Sequence, residues 1–439
     1  MTEHAHRIVI VGGGAGGLPL AVKLGDRYGR RGPVQVTLID QHATHVWKPL
    51  LHEVAAGRMD ADAHDLDYPA IAHWHGFRFA QGTLEGLDRT AREIVVGAVR
   101  APEGDEILPR RTFAYDTLIL CIGSVSNDFG IPGVAEHAIA LDMREDAERF
   151  HRRLLAACVR ADARAAAGEG AEVRIVIIGA GATGVELAAE LRQTTREHAG
   201  YGLDHLDPAR NIRITILEAA PRILPPLSEH LAAAATDLLQ RLDIDVRASQ
   251  RVIGVDTEGV RTAGGDFIPA DLVVWAAGIK ASAVLGTLDL EVNRANQLVV
   301  GPSLQTTRDP AIFAFGDCAA APWLGHTAGT LLPPRAQVAR QQSNLLLKSM
   351  TARLAGRPLP EFRFHDFGSL VSLGELSAVG TLMGRLIGGS MLIQGLIARA
   401  MYASLYKLHQ ISIHGVVRVG LDTLGRQMRG RVEPRVKLH

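Results

Sequence analysis

The chain has 439 residues, with 47 basic and 47 acidic side chains and a formal net charge of zero. That balance lacks the basic excess typical of nucleic-acid binders, so no nucleic-acid partner is expected. A hydrophobic content of 47% with 21% charged residues excludes a disordered or fibrous chain, and the length predicts two or three domains.

In chain order, residues 7–11 read as a short buried strand, followed by Gly12, Gly14 and Gly17 in G-x-G-x-x-G spacing. A helix through Leu24 and a second strand over 34–39 come next, the strand running into Asp40. Residues 173–178 repeat the first strand, and Gly179, Gly181 and Gly184 repeat the glycines. A helix through Leu191 follows, and a strand over 211–217 ends at Glu218. In such a unit the first glycine allows a tight turn and the second lets backbone approach a pyrophosphate. The third admits close helix–strand packing. The helix N-terminus offers unpaired N–H groups to the anion, and the terminal carboxylate suits a ribose diol. Each copy closes alike: Tyr115-Asp116 leads into 117–122 and Gly123, and Ala270-Asp271 leads into 272–277 and Gly278. A third buried strand ends in Gly316-Asp317. Two such units predict two nucleotides side by side, one of them a flavin. No metal is expected, because no His and Cys cluster has ligand spacing.

Cys121, Cys158 and Cys318 are too few and scattered for a disulfide framework, and no C-x-x-C is present. The apolar strand begins within seven residues of Met1, with no signal-peptide pattern before it, so a cytoplasmic protein is expected. No apolar stretch reaches the ~20 residues of a spanning helix, so no transmembrane segment is expected.

Other segments are more particular. Residues 47–57 read WKPLLHEVAAG, 181–187 read GATGVEL, 316–319 read GDCA and 334–342 read PRAQVARQQ; Glu218 is followed by Arg222-Ile223-Leu224-Pro225. With these the chain resembles the flavoproteins with two dinucleotide-binding domains, and among them the type II NADH dehydrogenases, single-subunit NADH:quinone oxidoreductases. The resemblance implies an α/β fold of two Rossmann-like domains, arranged as in glutathione reductase. An FAD domain (1–125 and 302–384) would be split by an inserted NAD(H) domain (126–301), with a membrane-anchoring region of amphipathic helix (385–439) at the end. It implies non-covalent FAD on Gly12, Gly14, Ala15, Gly16, Gly17, Asp40, Lys48, Leu84, Gly123, Gly316, Asp317 and Gln337. NADH would lie on Gly179, Gly181, Thr183, Gly184, Glu186, Glu218 and Gly278.

Within that assignment Asp40 takes the adenosine ribose, Asp317 the ribityl chain, and Lys48 lies near the flavin. Glu218 holds the NADH ribose and repels a 2′-phosphate, although Arg222 is close enough in sequence to accommodate one. Glu186, Gln337 and Gln341 are the implied assisting residues; the two glutamines share a helix face, which the resemblance puts at the flavin and quinone pocket. The implied activity is ping-pong transfer of two electrons from NADH to a membrane quinone, without proton pumping. Two rivals stand beside it: a sulfide:quinone oxidoreductase, which needs a facing cysteine pair, and a non-catalytic NADH/FAD redox sensor. Cys121 and Phe367 depart from the family pattern, the latter where a lysine is common. Residues 192–210 lengthen the second unit and are expected as a surface excursion.

The neutral total hides an asymmetry. From Arg385 onward nine basic residues face only Asp422 and Glu433, so the tail carries +7 and the preceding 384 residues −7. A helix is predicted over 391–410, capped by Ser390, with Ile393, Ile397, Ala400, Met401, Leu405 and Leu408 in one stripe. Arg399, Tyr402, Tyr406 and Gln410 lie opposite. Residues 386–439 are therefore expected as a peripheral anchor on the cytoplasmic face of the cell membrane. The protein's own body or a homodimer partner is the alternative cover for that stripe.

Overall fold

The computed structural model describes residues 5–29, 32–45, 47–61, 65–199, 202–373, 378–384, 387–392 and 396–429. Its principal elements, in chain order, are β1 (His6–Val11), α1 (Gly17–Leu24), β2 (Val34–Asp40), α2 (Leu51–Ala56), β3 (Arg78–Gln81), β4 (Thr117–Leu120), β5 (Ile139–Ala140), α3 (Arg144–Ala166), β6 (Val173–Ile178), α4 (Ala182–Ala199), β7 (Ile212–Leu217), α5 (Glu229–Arg241), β8 (Ile244–Arg247), β9 (Leu272–Trp275), β10 (Ile312–Ala314), α6 (Ala336–Leu354), β11 (Gly368–Ser372), β12 (Ala378–Gly384), β13 (Ile387–Leu392), α7 (Leu396–His414) and α8 (Val416–Arg429). Two compact units emerge. The first comprises Met1–Trp47, Asp65–Val125 and Lys280–His365; the second comprises Lys48–His64, Ser126–Ile279 and Asp366–His439.

The first unit is built on a five-stranded parallel sheet in the order β10-β4-β1-β2-β3. A parallel sheet is covered on both faces, which is why β1 and β4 are runs of apolar residues without alternation. Ile8, Val9, Ile10 and Val11 are all buried, as are Leu118, Ile119 and Leu120. The second unit repeats this arrangement as β5-β9-β6-β7-β8, again parallel throughout. The registers repeat as well: Ile8 pairs Val36 and Thr117, and Ile175 pairs Ile214 and Leu272. In each sheet the order reverses beside the first strand, and open α/β sheets generally offer a ligand crevice at the carboxyl ends of the strands at such a switch point.

An ion pair closes the opposite end of each sheet. The Arg7 N–H donates to Asp116 Oδ2 at 2.8 Å, and its Nε and Nη2 grip the same carboxylate at 3.1 and 3.0 Å. Arg174 holds Asp271 through the same three donors at 2.8, 3.0 and 3.0 Å. The sequence displays the aspartates of this repeat openly, but the arginines are hidden among other charged residues.

The units depart from the expected domain limits in three segments. Residues 280–301 group with the first unit, and residues 48–64 and 366–384 with the second. The last two have a visible cause within the second unit: α2 packs on α3 and α4, and β11 lies against α4 and α7. The expected surface excursion from Arg192 is also corrected. Helix α4 continues to Ala199, and Arg192 is fully buried, donating to the carbonyls of Pro208, Ile212 and Asp243 at 2.8, 3.0 and 2.8 Å. Those carbonyls draw the guanidinium inward in place of water.

The tail begins differently from the expected helix. Ser390, Met391 and Leu392 belong to β13, which pairs antiparallel with β12, so Ser390 caps nothing and α7 starts at Leu396. Over its described side chains the α7 face is also reversed: Leu408 is 42% exposed, whereas Gln410 is 4% exposed. The side chains at 393–403 and at 405, including most of the expected stripe, lie outside the described residues. Gly415, at a φ of +78° that a residue with a Cβ rarely adopts, breaks α7 from α8.

Candidate functional site

The two glycine-rich turns, one in each unit, are built alike. Gly12 donates its N–H to the Ile39 carbonyl and Gly179 donates to Leu217, both at 2.8 Å, which ties each turn to the second strand. A Cβ on Gly17 would stand 1.9 Å from the Gly12 carbonyl oxygen, and one on Gly184 2.0 Å from that of Gly179. The third glycine of each motif is therefore required by helix–turn contact. The second glycine is different. A Cβ on Gly14 or Gly181 would meet no atom within 4 Å, so each borders open space at the start of its helix. Space, a glycine and an unfilled helix N-terminus are what a pyrophosphate needs.

The acids that end the second strands complete the same pattern. Asp40 Oδ2 accepts the Gly13 N–H at 2.6 Å and Oδ1 accepts that of His42 at 3.0 Å. Burial pushes this carboxyl upward, against the opposite pull of those N–H donors. Glu218 Oε2 accepts the Ala180 N–H at 2.7 Å and Oε1 that of Ala220 at 2.8 Å. Each carboxylate is thus fixed by main chain and keeps further lone pairs for a diol. Arg222 stays clear of Glu218, donating Nη1 to the Leu227 carbonyl and Nη2 to that of Pro225, at 2.7 and 2.9 Å. Thr183 is exposed in the first turn of α4, and Ala15 and Gly16 stand at the head of α1. A side chain on Gly16 would strike the Phe315 ring.

Asp317 sits in a short turn of the first unit after β10. Ser124 Oγ donates to its Oδ2 at 2.9 Å, Gln297 Nε2 donates to its carbonyl at 2.9 Å, and the neighbouring Gly316 N–H donates to Gln342 Oε1 at 2.9 Å. Gly123 adjoins Ser124 and borders open space. Leu84 is buried opposite Val96 in a three-stranded antiparallel ribbon. Gln337 is half-buried in the first turn of α6. Gln341 is engaged as a clasp: its Nε2 donates to the His365 carbonyl at 2.8 Å and its Oε1 accepts the His365 N–H at 3.1 Å.

Lys48 opens a single 3₁₀ turn in the second unit, just before α2. Glu186 is buried on α4 in the same unit, accepting the Ser372 N–H at 3.0 Å. Gly278 lies under the Phe129 ring, which a Cβ there would meet at 2.6 Å. Phe367 is exposed.

Gln342, Ser124 and the α2 histidine His52 escape sequence reasoning. Gln342 did leave a signal, because it falls on the helix face of Val338, Ala339 and Leu346, all buried. A glutamine at a core position of an otherwise apolar face calls for a polar partner. Ser124 follows Gly123 and His52 lies within the 47–57 segment, but neither carries a spacing that marks a role.

The cysteines are poorly suited to sulfur chemistry. Cys121 donates to the Gly12 and Val11 carbonyls at 3.1 and 3.3 Å, and Cys318 to that of Phe315 at 3.2 Å. Desolvation pushes Cys121 well above the usual thiol range, Cys318 up to about 12 and Cys158 up to about 11. A thiolate is the reactive form, and burial suppresses it in all three.

Residues 6–343 match the pyridine nucleotide-disulphide oxidoreductase family. Over 98% of its length the chain is 41% identical to the type II NADH:quinone oxidoreductase of Haemophilus influenzae, covering 99% of that protein. Among solved structures, NDH2 from Plasmodium falciparum in complex with NADH superposes with a TM-score of 0.79, at 18% identity, covering 99% of this chain and 100% of that one. The sulfide:quinone oxidoreductase of Aquifex aeolicus shares the fold, with a TM-score of 0.69 at 18% identity over 98% and 96% of the two chains.

Proposed function

We propose, from the premise that this chain belongs to the type II NADH:quinone oxidoreductases, that it oxidises NADH and reduces a quinone through bound FAD, in a ping-pong cycle. The observation that carries this is the doubled site: a glycine turn, an open helix start and a main-chain-held acid in each unit. When bound, the flavin supplies the redox chemistry, accepting a hydride from NADH and yielding two electrons to the quinone.

The chain's own part is binding and orientation. In the first unit Gly12, Gly14 and Gly17 with the start of α1 receive the FAD pyrophosphate, and Asp40 takes the adenosine ribose. Asp317, steadied by Ser124 and by the Gly316–Gln342 bond, takes the ribityl hydroxyls. In the second unit Gly179, Gly181, Thr183 and Gly184 receive the NADH pyrophosphate, and Glu218 its ribose diol. Glu186 assists at the reacting end, as does Gln337; Gln341 serves them indirectly by clasping residue 365 to α6.

Quinones are lipids, so peripheral attachment to the cytoplasmic face of the cell membrane accompanies this activity. The support is in α8, where Val417, Leu421 and Leu424 recur at helical spacing and are 75, 66 and 60% exposed. The +7 tail suits anionic headgroups. No helix among the described residues is long and apolar enough to cross a membrane.

Steady-state oxidation of NADH by the purified yellow protein, with and without a soluble quinone, tests the activity. Quinone-dependent turnover well above the rate in air is expected. NADH oxidation that quinone leaves unchanged would refute it and favour a redox sensor.

A further inference from the structure

Glu186 is 6% exposed, so its carboxylate depends on partners inside the protein. Strand β11 provides one, because the Ser372 N–H at its end donates to Oε1 at 3.0 Å. On the other oxygen, α2 provides a second contact. His52, itself 2% exposed, sets its Nδ1 3.7 Å from Oε2. The Pro49 carbonyl also bonds this ring. Because Nε2 has no hydrogen-bond partner, Nδ1 carries the proton and donates it to that carbonyl, with Glu186 Oε2 facing the same N–H as a longer, second contact. Burial pulls the imidazole down to about 4, so the ring is neutral near pH 7 and offers its N–H without adding a charge. At 3.7 Å the contact with Oε2 is an electrostatic one, weaker than the hydrogen bond from Ser372 on the other oxygen.

The end of α2 is clamped by its neighbours. Arg58 lies 3.7 Å from Glu190 and 3.8 Å from Glu197, both on α4. Gly57 is pressed so closely on His151 of α3 that a Cβ would stand 2.1 Å from the ring. These contacts fix the end of α2, the helix that carries His52, on α3 and α4.

We propose that His52 is a positioning residue for Glu186: its Nδ1–H, shared with the Pro49 carbonyl, faces one carboxylate oxygen while the Ser372 amide bonds the other, and together they fix the rotamer that Glu186 uses in turnover. This rests on Glu186 assisting the reaction, as proposed above. It assigns work to a buried histidine whose bare Nε2 has no structural use.

The test compares two substitutions in the flavin-loaded protein. H52N places an amide N–H near the former Nδ1, whereas H52L keeps apolar volume and removes the donor. With NADH and a soluble quinone, kcat of H52N should stay within about threefold of wild type, while H52L should lose about tenfold with KM for NADH unchanged. In an E186Q background, H52L should cost less than about twofold, because the group it orients is already altered. If H52L does not retain flavin, H52M of similar volume takes its place. Equal losses in the asparagine and apolar variants, or full additivity with E186Q, overturn the positioning role. Wild-type turnover of E186Q alone would instead overturn the role of Glu186, so the two failures are distinct.

Discussion

Arg222 Nη1 donates to the carbonyl of Leu227 across 2.7 Å, so the arginine nearest Glu218 in sequence is spent on main chain. Its Nη2 is likewise given to Pro225. A 2′-phosphate would meet a carboxylate fixed by the Ala180 and Ala220 amides, with that guanidinium held by the Leu227 and Pro225 carbonyls. NADPH should therefore be a poor substrate. A charge-assisted hydrogen bond is worth ~1.5–3 kcal/mol, so E218Q should lower kcat/KM for NADH by about tenfold or more. The same substitution should raise the NADPH-to-NADH ratio, whereas R222A should leave that ratio nearly unchanged. Kinetics with both nucleotides decide the matter, and a drop in NADPH use by R222A would show that Arg222 reaches the phosphate.

The glycines separate folding from binding. G184A would force a Cβ against the Gly179 carbonyl and should cost several kcal/mol of stability, as overpacked backbone contacts do. G181A meets nothing within 4 Å in the protein itself. It should fold with full flavin content and lose NADH affinity by about tenfold, the scale of one impaired anion contact. G14A in the first unit should mirror it by folding and failing to retain flavin. Thermal melts with flavin absorbance distinguish these outcomes, and equal destabilisation by G181A and G184A would sink the distinction.

The contrast between glycine pairs also shows what the sequence could reveal. Strand–turn–helix repeats obey local rules, so both dinucleotide units and their terminal acids were legible from spacing alone. Long-range partners were not. Nothing local tells Gln341 that it faces His365, or Glu186 that the amide of Ser372, 186 residues away, will bond it. The tail misled for a related reason. Residues 391–410 read as one helix with a stripe from Ile393 to Leu408, but pairing with β12 offered the backbone of Met391 and Leu392 a ladder, and tertiary context overrode the periodicity there.

Gln342 illustrates a long-range partner with a measurable effect. It is 1% exposed and accepts the Gly316 N–H beside Asp317. Q342A would strand that amide, a loss of ~1–3 kcal/mol, and should weaken flavin retention by about tenfold. Q341A removes only the clasp on His365 and should lower thermal stability while leaving flavin content intact. Flavin release on dilution measures the first effect, and an unaltered release rate in Q342A would dismiss it.

Acid stability follows from Asp116. The Arg7 guanidinium holds its carboxyl down at about 2, below the unfolded value of roughly 4. A depressed folded pKa stabilises the protein above the unfolded value, and that contribution is lost as pH falls through about 4 toward 2. The stability gap between wild type and D116N should therefore be widest near neutral pH and close in that acid window. Urea midpoints across the range test it, and a gap independent of pH would assign the pair no titration linkage.

The last expectation concerns α8. Val417, Leu421 and Leu424 lie on one side of the helix, while Val419, on the other, is 6% exposed. The helix is therefore seated by one face and bare on the other. Burying a leucine side chain contributes ~1.5–3 kcal/mol, so L421S with L424S should reduce binding to anionic phospholipid vesicles by at least about tenfold. Turnover with a soluble quinone should persist, because neither residue is assigned to a nucleotide site. Co-sedimentation with vesicles reads the first effect, and sedimentation velocity without lipid reads the alternative. Loss of a dimer in the double variant, with vesicle binding unchanged, would assign the stripe to a second copy of the chain.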